Sequence, residues 1–208
     1  MTTPLGNLEV IESGLRLAAV RRRTRETDIS VRVVLDGQGT AEVATGIGFY
    51  DHLLTSLAHH SLIDIRIEAH GDLEVDEHHT VEDVALVLGS ALSAALGDRA
   101  GIERFGDASV PMDEALARVV IDLGGRPYAV IDLPFRADRI GALSTQLIEH
   151  ALEALARTAG ATLHVKGSGR NDHHLAEAAF KALARALRAA CARDPRRIGV
   201  ASTKGSVG

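Results

Sequence analysis

Two stretches of this chain repeat one pattern: His78-His79-Thr80-Val81-Glu82 and His173-His174-Leu175-Ala176-Glu177. So specific a motif occurring twice in 208 residues restricts the fold to two related halves. The flanking sequence agrees. His52 and His150 precede the two double histidines by 26 and 23 positions, and Leu88 and Leu92 fall where Leu183 and Leu187 fall when the motifs are superposed. Val33-Val34-Leu35-Asp36 also resembles Val119-Val120-Ile121-Asp122. The seam is expected near residues 99–101, giving a first half over 18–99 and a second over 100–208 with a C-terminal tail. Residues 1–17 show no clear period and read as a loose N-terminal extension with no assigned role.

Hydrophobic periodicity supplies the elements. Ile29, Val31, Val33 and Leu35 alternate with Ser30 and Arg32, which predicts a strand, and Ile63, Ile65 and Ile67 predict another. Asp36-Gly37-Gln38-Gly39 is a turn before a return strand over 40–45, and a further strand is expected over 18–24. Helices are expected over 49–59 and from Asp76 to Gly97, where Val84, Leu88, Leu92 and Leu96 recur every fourth residue. The second half repeats the order, with strands over 105–110, 116–123, 128–133 and 162–166. Its helices run over 144–158 and from His173 to before Pro195. Each half reads strand-strand-strand-helix-strand-helix.

A hydrophobic share of 46% with mixed charge describes a globular chain long enough to bury a large core. The net charge of −5 gives no electrostatic reason to expect nucleic acid or an anionic membrane, and 3% aromatics with no Trp offers no base-stacking platform. No uninterrupted apolar run approaches the roughly 20 residues of a membrane span. Cys191 is the lone cysteine, which excludes an intramolecular disulfide and argues against a thiolate metal site; packing is its expected role. With no secretory signal pattern, a reducing cytoplasm is the expected compartment.

The repeated motif suits metal ions. On a helix, residues i and i+4 share a face while i+1 is turned by about 100°. His78 and Glu82 can therefore approach one ion while His79 points elsewhere, and His173 pairs with Glu177 while His174 is freed. Two ions are expected, each held by one His-x-x-x-Glu face and completed by histidines from the other half or another subunit, with His52 and His150 the foremost candidates. Imidazole and carboxylate without thiolate suit Mn²⁺, Fe²⁺, Co²⁺ or Zn²⁺. His59, His60, His70 and His164 match no duplicated pattern and are expected to be solvated or packed.

An anion must then be held locally. Arg104 opens a strand, Arg126 sits in a Gly-Gly-Arg-Pro turn, and Lys181 lies one turn beyond Glu177. An i,i+4 Glu–Lys surface pair is the simpler reading of Lys181. A metal-ligating Glu177 is not expected to be free for that pairing, which favours a ligand role for the lysine. Ser202, Thr203, Lys204 and Gly205 together have a composition suited to phosphate.

These residues bring the chain to resemble the imidazoleglycerol-phosphate dehydratase family. The matching segments are Arg25-Glu26-Thr27, residues 46–52, residues 76–83, Gly124-Gly125-Arg126-Pro127, residues 169–174 through Phe180-Lys181, and Ser202-Thr203-Lys204-Gly205. The resemblance covers roughly residues 18–205. It implies an α+β fold of duplicated β3-α-β-α halves, with two four-stranded sheets and the helices packed between them. It also implies a 24-subunit homo-oligomer, Mn²⁺ helping to join subunits, two ions per active site, and active sites lying between chains. Some members carry an N-terminal phosphatase domain with an Asp-x-Asp motif; none appears near this start, so the dehydratase alone is expected.

The reaction so implied removes water from imidazole glycerol phosphate to give imidazole acetol phosphate. The departing C–H is not adjacent to a carbonyl, so enolate stabilisation is not available and metals are expected to act as Lewis acids and template. Family correspondence makes Glu26 the acid/base; its own Arg-Glu-Thr-Asp setting would otherwise pass as a solvated charge. Arg104, Arg126, Lys181, Ser202, Thr203 and Lys204 would hold the phosphate. The competing readings are a dimetal phosphoester hydrolase, whose ligands are more often strand-borne aspartates, and a non-enzymatic metal-stapled shell, which leaves the basic residues without a purpose.

Overall fold

Alternating apolar residues build two sheets, and the computed structural model describes them over residues 7–207. Strands β1 (Leu8–Gly14), β2 (Leu17–Arg23), β3 (Thr27–Val34) and β4 (Ala41–Ala44) lead into helix α1 (Gly48–Ser61), strand β5 (Asp64–Gly71) and helix α2 (His78–Leu96). The second half follows with β6 (Phe105–Met112), β7 (Ala115–Asp122), β8 (Tyr128–Asp132), a short β9 (Arg139–Ile140) and β10 (Leu143–Ser144) pair, α3 (Thr145–Ala159), β11 (Thr162–Ser168) and α4 (Asp172–Cys191). The sheets run β1-β2-β3-β5-β4 and β6-β7-β11-β8. Apart from β1 they share one topology: β5 and β11 each pair antiparallel on one side and parallel on the other.

Each sheet turns one face inward, where Ile29, Val31 and Val33 match Ala117, Val119 and Ile121 in being buried. Helix α2 lies on β2 and β3, α4 lies on β6 and β7, and the helices meet crosswise as α2 with α3 and α1 with α4. The helices therefore fill the space between the sheets. Gly89 permits a close approach of α2 to α3, since a Cβ there would stand 2.5 Å from the Leu155 carbonyl oxygen. By length and composition α2 is long and apolar enough to cross a membrane, but most of it is buried inside the protein as a core helix.

Three details depart from the sequence reading. Leu8–Gly14, within the expected loose extension, form an edge strand that pairs with β2 and gives the first sheet five strands rather than four. That strand is exposed along nearly its whole length, so it carries no buried face and no period; residues 1–6 of the extension lie outside the described residues. The hairpin of β9 and β10 was not anticipated, having only two residues on each side. Finally, the halves superpose two residues out of register from the Val33–Asp36 match. Leu35 N–H donates to the Arg16 carbonyl and Leu123 N–H to the Arg104 carbonyl, so Leu35 corresponds to Leu123 and Arg16 to Arg104. An alternating strand presents similar residues at every second position, so a shift of two keeps the apparent match.

Candidate metal centres

Both double-histidine motifs open a helix, which fixes their geometry. Asn171 accepts from the His173 N–H as the cap of α4, and Asp76 accepts from the His78 N–H at the start of α2. The residue before each motif ties it to one segment of chain. Glu77 accepts from Arg139 and from the Ser144 N–H, while Asp172 accepts from the Arg136 and Ala137 N–H groups. Residues 136–144 thus bridge the two helix starts.

The helix layer then joins ligands across halves. His52 of α1 meets His173 and Glu177 of α4, with His52 Nε2 3.0 Å and His173 Nε2 2.8 Å from Glu177 Oε1. His150 of α3 meets His78 and Glu82 of α2, at 3.5 Å and 4.0 Å between imidazole nitrogen and carboxylate. Within each group the ligand atoms lie within 4.8 Å of one another. Phe49 packs on the first group, its ring centroid 4.9 Å from that of His173.

These residues fit a divalent transition ion. Each group offers two imidazoles and a carboxylate, and among the described residues the buried His150 Nε2 has no hydrogen-bond partner. Burial alone would raise the Glu177 carboxyl, but Lys181, His52 and His173 outweigh it and hold it at about 2. Burial is likewise opposed at Glu82, where Arg157 and His150 keep the carboxyl below its ordinary value. Lys181 Nζ stands 2.7 Å from Glu177 Oε2 while Oε1 faces the histidines. Lys181 therefore makes the i,i+4 pair with one carboxylate oxygen of Glu177, and the other oxygen is left to the histidines.

The second histidine of each motif turns away from these groups. His79 Nδ1 contacts Asp72 at 3.0 Å and its Nε2 lies 3.9 Å from Glu26. His174 Nδ1 contacts Glu114 at 2.9 Å and its Nε2 lies 3.7 Å from Asp113. The Asp72 bond raises the His79 pKa. Glu114 is held at about 2 by His174 and by the Arg170 and Asn171 N–H groups. Sequence reasoning missed both Asp72 and Glu114, whose distance from the motifs gave no local spacing to read.

Arg104, Arg126, Ser202, Thr203 and Lys204 line one open cavity of about 310 Å³. Arg104 sits just before β6 with φ of 71°, and Asp122 holds its guanidinium at 2.6 and 2.8 Å, raising its pKa. Its third nitrogen donates to the Ala201 carbonyl, so the arginine also anchors the tail. Lys181 is not in this cavity. The Arg104 N–H bonds the Ala190 carbonyl near the far end of α4, 17 residues from His173 and thus about 25 Å along the helix.

A family model described as imidazoleglycerol-phosphate dehydratase matches residues 45–187. A dehydratase of that name from Nitrobacter hamburgensis is 56% identical over 196 residues, covering 93% of this chain and all of that protein. One from Methanocella arvoryzae is 54% identical, covering 92% of this chain and 99% of its own. Among solved structures, the enzyme from Pyrococcus furiosus superposes with a TM-score of 0.78 at 40% identity, covering 90% of this chain and 99% of that one.

Proposed function

Because the chain belongs to the imidazoleglycerol-phosphate dehydratase family, a hydro-lyase of histidine biosynthesis, we propose that its two histidine–glutamate groups each hold one Mn²⁺ and that its active site is completed between chains. The activity is dehydration of imidazole glycerol phosphate to imidazole acetol phosphate. His52, His173 and Glu177 form one ligand group and His78, Glu82 and His150 the other. His79 and His174, each oriented by a carboxylate behind it, complete the shells of ions held by neighbouring chains. When bound, the ions supply Lewis acidity toward the substrate's imidazole ring and a template for its hydroxyls.

Glu26 is the acid/base at the substrate's carbon chain. It is half exposed beside His79, where a substrate lying on the metals would bring a C–H or hydroxyl to it. Arg104, Arg126, Ser202, Thr203 and Lys204 hold the phosphate, fixing the reacting carbons relative to the ring. The separation along α4 carries the inter-chain reading: about 25 Å is more than a ring, a glycerol chain and a phosphate can span. The cavity of one chain therefore faces the His52–His173–Glu177 group of another, within a homo-oligomer that we take to be the 24-mer. The halves 18–99 and 100–208 act as one catalytic unit, and the cytoplasm is its compartment.

Subunit mixing tests this. His173→Ala and Arg126→Ala chains, each inactive alone, should recover part of the wild-type turnover when dissociated and reassembled together. No recovery from verified mixed assemblies means that both residues act within one chain's site. Near-normal kcat in Glu26→Gln alone removes Glu26 from the chemistry.

A further inference from the structure

The duplication supplies an internal control on the surroundings of Glu26. Glu26 immediately precedes β3 and Glu114 immediately precedes β7, so the two glutamates occupy corresponding turns. Glu114 is committed to structure: it orients His174 and accepts from the Arg170 and Asn171 N–H groups. In the first half Asp72 has taken over the orienting of His79, and its N–H bonds the Glu26 carbonyl. The Glu26 carboxylate is thereby released, 56% exposed, while its backbone is fixed by Thr24 Oγ1 and Asp72.

A second asymmetry lies directly behind that turn. Thr27, the residue after Glu26, donates to Asp83, and Asp83 also pairs with Arg22. Asp83 and Thr27 are both buried, and among the described residues the buried Arg22 Nε has no partner. The corresponding residues of the second half are Val110, Ala115 and Ala178. Arg22 and Val110 each face the strand residue two beyond Thr27 and Ala115, and Asp83 and Ala178 each follow the motif glutamate. One fold thus solves the same position twice, once with a buried ion pair and once with small apolar side chains.

A buried ion pair is a poor source of stability compared with packed apolar groups, and an unpartnered guanidinium nitrogen is a cost. The second half shows that the fold does not need the polar version. We propose that Asp83, with Arg22 and Thr27, is a positioning device for Glu26, locking its turn onto α2 one helical turn beyond His79. The proposal rests on Glu26 being the acid/base. Asp83 belongs to neither ligand group; it acts through Thr27 on the glutamate's placement.

The test uses the assembled Mn²⁺ enzyme. The triple variant Arg22→Val, Thr27→Ala, Asp83→Ala imports the second half's residues, and Asp83→Asn keeps the shape while removing the charge. Both should retain wild-type manganese content and assembly, with KM nearly unchanged and kcat lowered about 10–100-fold. Added to Glu26→Gln, either should lower turnover no further. A triple variant with wild-type kcat, or a full additional loss on top of Glu26→Gln, overturns the proposal. Should the triple variant fail to fold, unchanged kcat in Asp83→Asn overturns it as well. Near-normal turnover in Glu26→Gln overturns the Glu26 reading and the proposal together, whereas a dead Glu26→Gln beside an active triple variant overturns the proposal alone.

Discussion

His150 Nε2 stands 3.5 Å from Glu82 Oε1, although the two residues belong to different halves of the chain. His52 and Glu177 repeat the relationship at 3.0 Å. Each ligand group is therefore assembled only when the halves pack. Replacing His150 by Ala should remove metal from the Glu82 group and leave the Glu177 group loaded, and His52→Ala should do the reverse. Elemental analysis of dialysed protein checks this: each single variant should lose about half of the wild-type metal and the double variant nearly all.

Asp72→Ala should weaken manganese binding without removing any ligand. Asp72 orients His79 and raises its pKa through the Nδ1 bond. Loss of such a support behind a ligating imidazole costs about 10–100-fold in affinity. Titration of metal-free protein followed by electron paramagnetic resonance reads the shift. Affinity equal to wild type would mean that His79 ligates no metal.

Glu114 makes acid stability testable. Its carboxyl is held at about 2 against an ordinary 4.5, chiefly by His174, so the folded pKa is depressed. The stability it contributes is fully present above about pH 4.5 and is lost as pH falls toward 2. Metal-free wild-type protein should therefore exceed Glu114→Gln in urea resistance at pH 6, and the gap should narrow steadily below pH 4.5. A gap that is flat across the acid range would contradict the assignment.

Gly89→Val should destabilise the protein by at least about 1–3 kcal/mol, because the added side chain has no room against the Leu155 carbonyl and Thr158. Urea denaturation measures it. Metal content should fall too, since pushing α3 away from α2 withdraws His150 from Glu82.

The doubled motif carried much of this into the sequence. His78 with Glu82 and His173 with Glu177 follow from helical spacing, and a duplicated order of elements follows from the period of residues such as Ile29–Leu35. What spacing could not supply was contact between distant elements. Asp72 and Glu114 are brought to the histidines by strand ends, and β1 is held by backbone pairing with almost no buried side chains. The Lys181–Glu177 pair was legible as an i,i+4 spacing, but which carboxylate oxygen it would take was not. The gap between Lys181 and Arg104 was equally invisible, since a helix gives its length from sequence but not which end receives the tail.

The crosswise meeting of α1 with α4 and α2 with α3 bears on ancestry. A chain of half this length could not build either ligand group alone, yet two identical copies paired about a twofold axis would build both at once. In such a dimer every substitution would be made twice, and a glutamate could not orient a histidine in one copy while working as a free acid in the other. Joining such copies into one polypeptide would remove that constraint, and Glu26 and Glu114 now differ in this way.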